Sequence, residues 1–354
     1  MKKHNFSAGP CILPKEVLLK ASESVMDFNG SGLSLIEISH RSKDFVAVME
    51  NARSLALELL DLKDKGYKAL FLQGGASMEF LMVAYNLLEK RAGYLNTGTW
   101  SDKAIKEAKL FGEIVEVGSS KDESFKYIPK GYSVPSGLDY LHITSNNTIF
   151  GTQFKKFPKT DCPLVCDMSS DIFSRSLDFS QFDLIYAGAQ KNMGPAGTTL
   201  VVVKEEILGQ VSRKIPSMLD YQVHIAKDSM FNTPPVFAVY TSMLTLEWLK
   251  NLGGIAAIEE INEKKARLLY SEIDLNPVFE GFANVEDRSL MNATFNLTDD
   301  ALKTTFDDML KEAGINGLNG HRSVGGYRAS MYNALSLDSV GVLVDVMSEM
   351  ERKG

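Results

Sequence analysis

The sequence predicts an α/β protein with a large, mostly parallel sheet covered by helices and a smaller α+β lobe. Its 354 residues exceed what a single hydrophobic core usually supports. Short apolar runs alternate with helical stretches, and runs that are apolar along their whole length are typical of parallel strands buried on both faces. These runs are Ala69–Leu72, Ala92–Leu95, Ile114–Val117, Tyr140–Ile143, Leu164–Cys166, Leu184–Ala187 and Thr199–Val203.

Helices are predicted before this alternating region. Pro14 suits the first turn of a helix, and Lys15 to Met26 carries apolar residues at helical spacing. Asp44 to Leu62 has the same periodicity and predicts a second, amphipathic helix. The sheet should therefore begin only after Gly66.

A glycine pair, Gly253-Gly254, separates predicted helices over Val236–Leu252 and Ile255–Ile273. We take it as the boundary between a large domain, 15–253, and a small domain formed by 1–14 and 254–354. Beyond the boundary the pattern is mixed. We predict a strand at Leu290–Leu297 with Asn292, Thr294 and Asn296 on its polar face, a helix at Thr304–Ala313, an extended segment at Arg322–Met331 and a helix at Val340–Arg352.

Composition excludes several classes of function. The net charge is −7 and no lysine/arginine block stands out, so nucleic acid and anionic membranes are not expected partners. No apolar run reaches the roughly 20 residues of a membrane span, and residues 1–14 lack a signal-peptide core. The three cysteines cannot form a disulfide framework, and we interpret Cys162 and Cys166 as core thiols rather than metal ligands. We expect a cytoplasmic protein without a metal.

Lys191 is the first candidate for chemistry. It follows the run Leu184–Ala187, beside Gln190 and Asn192. A lysine at the end of a buried strand is costly to desolvate unless it is paired or used covalently. Burial lowers its pKa, which suits Schiff-base chemistry. By position alone, a lysine that reaches from the strand end to solvent is the commoner interpretation.

Asp167 strengthens the case for Lys191. It ends the apolar run that begins at Leu164, 24 residues before Lys191 (191 minus 167), which is about one strand-to-strand crossover. Neighbouring parallel strands bring such residues to the same edge of a sheet, where ligands bind. A carboxylate for a pyridine nitrogen and a lysine for an aldehyde are what pyridoxal phosphate (PLP) requires. Alone, Asp167 is more often a turn or capping acid.

A glycine turn gives the third signal. Gln73-Gly74-Gly75-Ala76-Ser77 joins an apolar run to a helix start, where free backbone N–H groups can bind phosphate. The turn matches neither the Rossmann fingerprint nor the P-loop, which argues against a nucleotide-binding dehydrogenase.

Six dispersed motifs resemble those of phosphoserine aminotransferases, which are class V, fold-type I PLP enzymes. The resemblance extends over essentially the whole chain, with the motifs in the family's order. The motifs are Asn5–Pro10, Ile38–Arg41, Asp167–Ser170, Ala187–Asn192, Phe231–Pro235 and Gly325–Ser330.

The resemblance implies roles for the residues around the cofactor ring. Lys191 would hold the cofactor as a Schiff base and then move the proton in the 1,3-shift. Asp167 would keep the ring nitrogen protonated. Trp100 would stack on the ring, and Thr148 would hydrogen-bond its hydroxyl group.

The resemblance also implies a phosphate site shared between two subunits. Backbone groups of Ala76 and Ser77, with the Gln190 side chain, would bind the cofactor phosphate. Asn232 and Thr233 would complete this site from the partner subunit, which implies an obligatory homodimer with shared active sites.

Substrate recognition requires one anion site for the α-carboxylate and one for the distal group. Arg328 matches the family's carboxylate clamp, since a guanidinium pairs with a carboxylate through two hydrogen bonds. The pairs His40-Arg41 and His321-Arg322 would surround the distal phosphate or γ-carboxylate.

Other histidines and two departures from the family pattern complete the site prediction. We take His142 and His224 as structural. Ser77 stands where some relatives have an arginine that assists the substrate phosphate, and Ala8 stands where some have a serine. The distal site should therefore depend more on Arg41, His321 and Arg322.

The implied reaction converts 3-phosphooxypyruvate and L-glutamate to O-phospho-L-serine and 2-oxoglutarate in serine biosynthesis. The phosphohydroxythreonine step of PLP biosynthesis is a second role known for related enzymes. The main alternative is another class V enzyme, such as an alanine–glyoxylate type aminotransferase. A cysteine desulfurase would need a cysteine in a glycine-rich loop, and a non-catalytic relative would be expected to have lost Lys191 or Asp167.

Overall fold

The computed structural model describes residues 2–322 and 324–353. Its strands are β1 (His4–Asn5), β2 (Tyr67–Leu72), β3 (Arg91–Asn96), β4 (Glu113–Ser119), β5 (Leu141–Thr144), β6 (Asn146–Asn147), β7 (Thr152–Gln153), β8 (Leu164–Asp167), β9 (Leu184–Gly188), β10 (Thr199–Lys204), β11 (Phe279–Gly281), β12 (Asn292–Leu297), β13 (Ile315–Asn316) and β14 (Tyr327–Ser330). Its helices are α1 (Lys15–Met26), α2 (Lys43–Leu59), α3 (Gly75–Leu87), α4 (Thr99–Ala108), α5 (Tyr221–Ala226), α6 (Val236–Asn251), α7 (Gly254–Leu275), α8 (Lys303–Glu312) and α9 (Leu337–Lys353).

The seven predicted apolar runs all form strands of one sheet, in the order β2-β10-β9-β8-β5-β3-β4. Strands β9, β8, β5, β3 and β4 are parallel, whereas β10 runs antiparallel to both of its neighbours. Only residues 189–198 join β9 to β10, and a parallel crossover needs a dozen residues or more. The connection is therefore too short for a parallel pair, and the mostly parallel α/β fold is confirmed with β10 as its exception.

Both faces of the sheet are buried under helices. Alternate strand residues point to opposite faces: in β9, Ile185 packs in the core beneath α2 and α6, whereas Tyr186 packs in the core beneath α3 and α4. Every residue of β5, β8 and β9 is buried. This two-sided burial explains why the strands are almost continuously apolar.

A further core lies around the three-stranded sheet β11-β12-β14 and helices α8 and α9. Phe6, from the start of the chain, is buried in it, and β1 pairs in parallel with β13. Helix α7 connects the cores, because Ile258 packs with the large sheet and Leu269 packs with this smaller one.

Several predicted boundaries shift in this region. Asn292 and Thr294 were placed on a polar face but are buried, since Asn292 bonds Asn146 and Ser330 and the Thr294 hydroxyl donates to Phe150 O at 3.0 Å. Among the described residues of the predicted extended segment 322–331, only Tyr327–Ser330 form a strand, and the positive φ of Gly325 and Gly326 breaks the extended backbone before it. In the described residues, no helix is long and apolar enough to cross a bilayer.

Candidate active site

A cavity of about 450 Å³ opens at the carboxyl ends of the parallel strands. Thr144 ends β5 and Asp167 ends β8, while Lys191 lies in the turn after β9. Ser77, in the first turn of α3, and Arg328, on β14 of the smaller sheet, form other walls. The cavity therefore occupies the place where ligands bind in open α/β sheets.

Lys191 extends into this cavity. Its Nζ donates a hydrogen bond to Thr148 Oγ1 at 3.0 Å. Burial lowers the pKa of Lys191 to about 8, an effect that Asp167 opposes and the Arg328 charge reinforces. The backbone is anchored as well, since the Cys11 thiol donates to Lys191 O at 2.6 Å. About one-tenth of the amine is thus uncharged and nucleophilic at pH 7, and about half at pH 8.

Asp167 lies on the cavity wall and is only 3% exposed. Its Oδ1 accepts a hydrogen bond from Ser169 N at 2.9 Å, which fixes the carboxylate relative to the strand. Burial raises the pKa of Asp167, while the hydrogen bonds from Ser169 and the charge of Lys191 act in the opposite direction. A protonated ring nitrogen placed against this carboxylate would compensate its burial.

The first turn of α3 forms an anion-ready wall. Gly74 has φ 103°, and a Cβ atom there would collide with the Met78 side chain, so the turn into the helix requires glycine. The turn has no acidic residue, and no side chain of the described chain caps it. Ala76 and Ser77 line the cavity beside Gln190. Unsatisfied N–H groups and the helix dipole favour a phosphate here.

Trp100 and Arg328 have polar atoms in need of partners. Trp100 Nε1 and Arg328 Nε are both buried and have no hydrogen-bond partner among the described residues. Arg328 Nη1 donates to Thr148 O at 3.2 Å, which orients the guanidinium in the cavity wall. Lys191 Nζ lies 5.9 Å from the centroid of the Trp100 ring. An aromatic wall, a lysine, an acid and a phosphate cradle together fit PLP, and define the site of a PLP-dependent transferase.

The structure brings together nine of the predicted site residues. They line one cavity and are Ala76, Ser77, Trp100, Thr148, Asp167, Gln190, Lys191, His321 and Arg328. Burial, together with the charges of Arg328, Arg322 and Lys103, lowers the pKa of His321.

The other five predicted residues lie outside this cavity in the single chain. Asn232 lines a neighbouring cavity of about 330 Å³ that shares Gly74, and Thr233 O accepts from Gln73 Nε2 at 2.9 Å. His40 and Arg41 lie between α1 and α2, with Arg41 exposed. Arg322 is exposed beside Ser323, which lies outside the described residues. The roles of these five residues stay predictions.

Sequence reasoning missed other residues that line the cavity. Thr144 ends β5 and Asn146 begins β6, Ser169 and Ser170 follow β8, and Gly9 precedes the first helix. The signal for four of them was available, because polar residues directly after an apolar run of a parallel sheet reach the ligand edge.

Three further predictions concern groups away from the cavity. His142 is buried, its Nε2 lies 2.8 Å from Tyr186 OH, and burial lowers its pKa to about 3, so the imidazole is neutral. His224 Nε2 lies 3.0 Å from Met218 O. Cys162 Sγ lies 2.9 Å from Thr160 Oγ1, and no cluster of metal-ligating side chains occurs within 2–322 and 324–353.

Comparison with known proteins identifies the family. A family model described as "Aminotransferase class-V" matches residues 3–343. A protein of Flavobacterium psychrophilum named phosphoserine aminotransferase is 70% identical, over 100% of both chains. The structure of phosphoserine aminotransferase from Bacillus circulans subsp. alkalophilus has a TM-score of 0.96 at 42% identity, with 99% of each chain covered. A PLP-bound phosphoserine aminotransferase from Trichomonas vaginalis has a TM-score of 0.92 at 33% identity, covering 98% of this chain and 100% of that one.

The chain therefore belongs to the class V aminotransferases and, within that class, to the phosphoserine aminotransferase family.

Proposed function

We propose that the protein is a PLP-dependent enzyme that exchanges an amino group between O-phospho-L-serine and 2-oxoglutarate, with phosphoserine formation as its direction in serine biosynthesis. One observation carries the proposal: Asp167, Lys191 and Arg328 line a single cavity together with the first turn of α3. The names of the relatives supply the particular substrates.

Lys191 performs the proton transfer in this scheme. When bound, PLP supplies an aldehyde that captures amino groups and a ring that accepts the electron pair released at the substrate Cα. With a pKa lowered to about 8, Lys191 Nζ can accept a proton from the substrate Cα and deliver it to the carbon at the other end of the 1,3-shift. The hydrogen bond to Thr148 Oγ1 holds the amine within the cavity.

Asp167 and α3 hold the two ends of the cofactor. Asp167, fixed by Ser169 N, would accept a hydrogen bond from the ring nitrogen and keep its proton in place. The N–H groups at Ala76 and Ser77, with Gln190, would bind the phosphate. Trp100 closes one side of the cavity and limits the water around the reacting carbon.

Arg328 binds the α-carboxylate of each substrate. Its Nη1 is anchored on Thr148 O, which places the guanidinium near the same threonine that holds Lys191. This shared anchor positions the substrate Cα relative to the amine. His321 faces the distal group, and we assign His40, Arg41 and Arg322 to the same distal site.

The proposal includes a homodimer with shared active sites. Asn232 and Thr233 complete the cofactor phosphate site of the partner subunit in this scheme. Their position supports it, because both lie near the Gln73-Gly74 turn but outside the cavity of their own chain. Sedimentation of the holoenzyme tests the dimer, and mixing inactive Lys191→Ala with inactive Asn232→Ala subunits should restore activity in one site of each hybrid.

The proposal also covers the division into domains and the cellular location of the protein. We assign 15–253 to a large domain and 1–14 with 254–354 to a small one. The packing of Phe6 in the smaller core supports this division. We also assign the protein to the cytoplasm, where its phosphorylated substrates are formed.

A half-reaction titration tests the function. Phosphoserine, serine, alanine and aspartate are added separately to the holoenzyme, and the cofactor absorbance is followed. Phosphoserine should convert the cofactor at far lower concentration than the other three. Equal conversion by serine would contradict phosphate recognition, and preference for alanine would favour an alanine–glyoxylate type enzyme.

A further inference from the structure

A cation beside the cavity has no role in the scheme above. Lys103 lies on α4, three residues after Trp100, and its side chain is exposed. Its Nζ lies 4.6 Å from the centroid of the Trp100 ring, and Trp100 lines the cavity. An ammonium group is therefore held at the aromatic wall.

Lys103 is free to change partners. Within the described residues the Lys103 ammonium makes no ion pair or hydrogen bond, and it has a cation–π contact with the Trp100 ring. An exposed cation–π contact stabilises by only about 0.5–1 kcal/mol. A dianionic phosphate is a stronger partner, and the flexible four-carbon stem of lysine allows Nζ to move towards it.

The charge of Lys103 acts at the same side chain, His321, that is assigned to the distal group. Lys103, Arg322 and Arg328 all act on His321 and, together with its burial, lower its pKa. The imidazole is therefore largely neutral at neutral pH before an anion binds. Ser77, which also lines the cavity, contributes no charge. If Arg328 holds the α-carboxylate, a dianionic distal phosphate has room for a further permanent cation beside the assigned Arg322 and Arg41.

We propose that Lys103 is a specificity-determining residue whose ammonium leaves the Trp100 ring to pair with the distal anionic group of the substrate, above all a phosphate monoester. The inference rests on the proposed function, since it assigns a residue to the distal subsite of the same cavity. Binding of the dianion also favours the protonated form of His321, so that Lys103 and His321 act together on the phosphate.

The test compares three variants of the holoenzyme: Lys103→Met, Lys103→Arg and the matched control Lys106→Met. Lys106 is also exposed and lies on the same helix. For each protein, kcat/KM is measured with phosphoserine and with serine. Inorganic phosphate is then titrated as a competitive inhibitor.

Lys103→Met should reduce the ratio of kcat/KM for phosphoserine to that for serine by about tenfold or more, mainly through a higher KM for phosphoserine. A tenfold change corresponds to about 1.4 kcal/mol. It should weaken phosphate inhibition by a similar factor. Lys103→Arg should restore most of the ratio, and Lys106→Met should match the unsubstituted protein.

Two results would overturn the inference. An unchanged ratio in Lys103→Met would show that the ammonium does not reach the phosphate. An equal loss with both substrates, together with a shifted cofactor absorbance, would show that Lys103 acts only through the Trp100 ring. If the unsubstituted enzyme does not prefer phosphoserine over serine, the proposed function fails instead.

Discussion

Two lysines, the partly buried Lys191 and the fully buried Lys265, have similarly lowered pKa values and opposite surroundings. Burial lowers the pKa of Lys191 to about 8 and that of Lys265 to about 7. Within the described part of the chain, Lys191 Nζ has one hydrogen bond, to Thr148 Oγ1, and it faces a cavity. Lys265, at 0% exposure, donates to Met331 O, Tyr332 O and Leu335 O at 3.0, 2.9 and 3.1 Å. A lowered pKa alone therefore does not identify a catalytic lysine. The number of hydrogen bonds that the ammonium group makes to the protein distinguishes the two.

Lys265 is a support for the site rather than a member of it. Three carbonyl acceptors use all three protons of an ammonium group, so these bonds favour the charged form against the effect of burial. They fix the turn that follows β14, the strand of Arg328. From that turn, Tyr332 OH donates to Ala8 O at 2.8 Å and Asn333 N donates to Asn192 Oδ1 at 3.0 Å.

The largest expected effect separates the two lysines directly. Lys191→Ala should lower turnover by about 10³-fold or more, since it removes the group that moves the proton. Its thermal unfolding should stay close to that of the unsubstituted protein. Borohydride should fix the cofactor to Lys191 in a peptide map. Label on Lys265 instead would show that Lys265, and not Lys191, binds the cofactor.

Lys265→Met should have the opposite profile. It leaves three buried carbonyl groups without this donor, and a loss of about 3 kcal/mol in unfolding free energy is expected, since each unsatisfied group costs about 1–3 kcal/mol. Urea unfolding of the holoenzyme measures it. Borohydride labelling at Lys191 should persist, with KM rising more than kcat falls as Arg328 loses its support. Unchanged stability would contradict the supporting role.

The pH dependence of cofactor uptake sharpens the comparison further. Uncharged Lys191 is the nucleophile, so the rate at which cofactor-free protein captures PLP should rise with pH, with a midpoint near 8. The Asp167 carboxylate raises the pKa of Lys191, so Asp167→Asn should move the midpoint to lower pH. Stopped-flow absorbance measures the rate. A midpoint that is unchanged or higher in Asp167→Asn would contradict the coupling.

The smallest effect concerns Cys11. Cys11→Ala removes the hydrogen bond to Lys191 O, and a net loss of about 0.5–1.5 kcal/mol in stability is expected. Turnover should change little, because the amine end of Lys191 is held separately by Thr148. A large loss of turnover with intact stability would instead place the thiol in the chemistry.

The sequence could predict Lys191 but not Lys265, for a physical reason. Lys191 follows one apolar strand and Asp167 ends the neighbouring one, so the strand pattern brings both to one edge of the sheet. Lys265 lies in the helical stretch Glu263-Lys264-Lys265, which has the composition of a solvent-exposed face. Its burial depends on the backbone carbonyls of residues 331–335, and no local pattern encodes such a distant partner.

The other elements of the fold and site also divide into those that local sequence predicts and those that depend on distant partners. The strands of the large sheet were predictable because burial on both faces leaves a continuous apolar run. The reversal of β10 and the buried polar face of β12 were not predicted, because each depends on what packs nearby. Asn292, for example, is buried because Asn146 and Ser330 bond it.

The pairing of β1 with β13 sets an order for biosynthesis. His4 pairs with Ile315, and Phe6 packs among residues that lie beyond 265. At roughly 5–20 residues per second, the ribosome needs roughly 15–60 s between these two positions. The leading segment, which carries Gly9 and the Cys11 contact to Lys191, must wait unpaired for that time. The catalytic pocket can therefore be completed only near the end of translation, even if the large sheet has already folded.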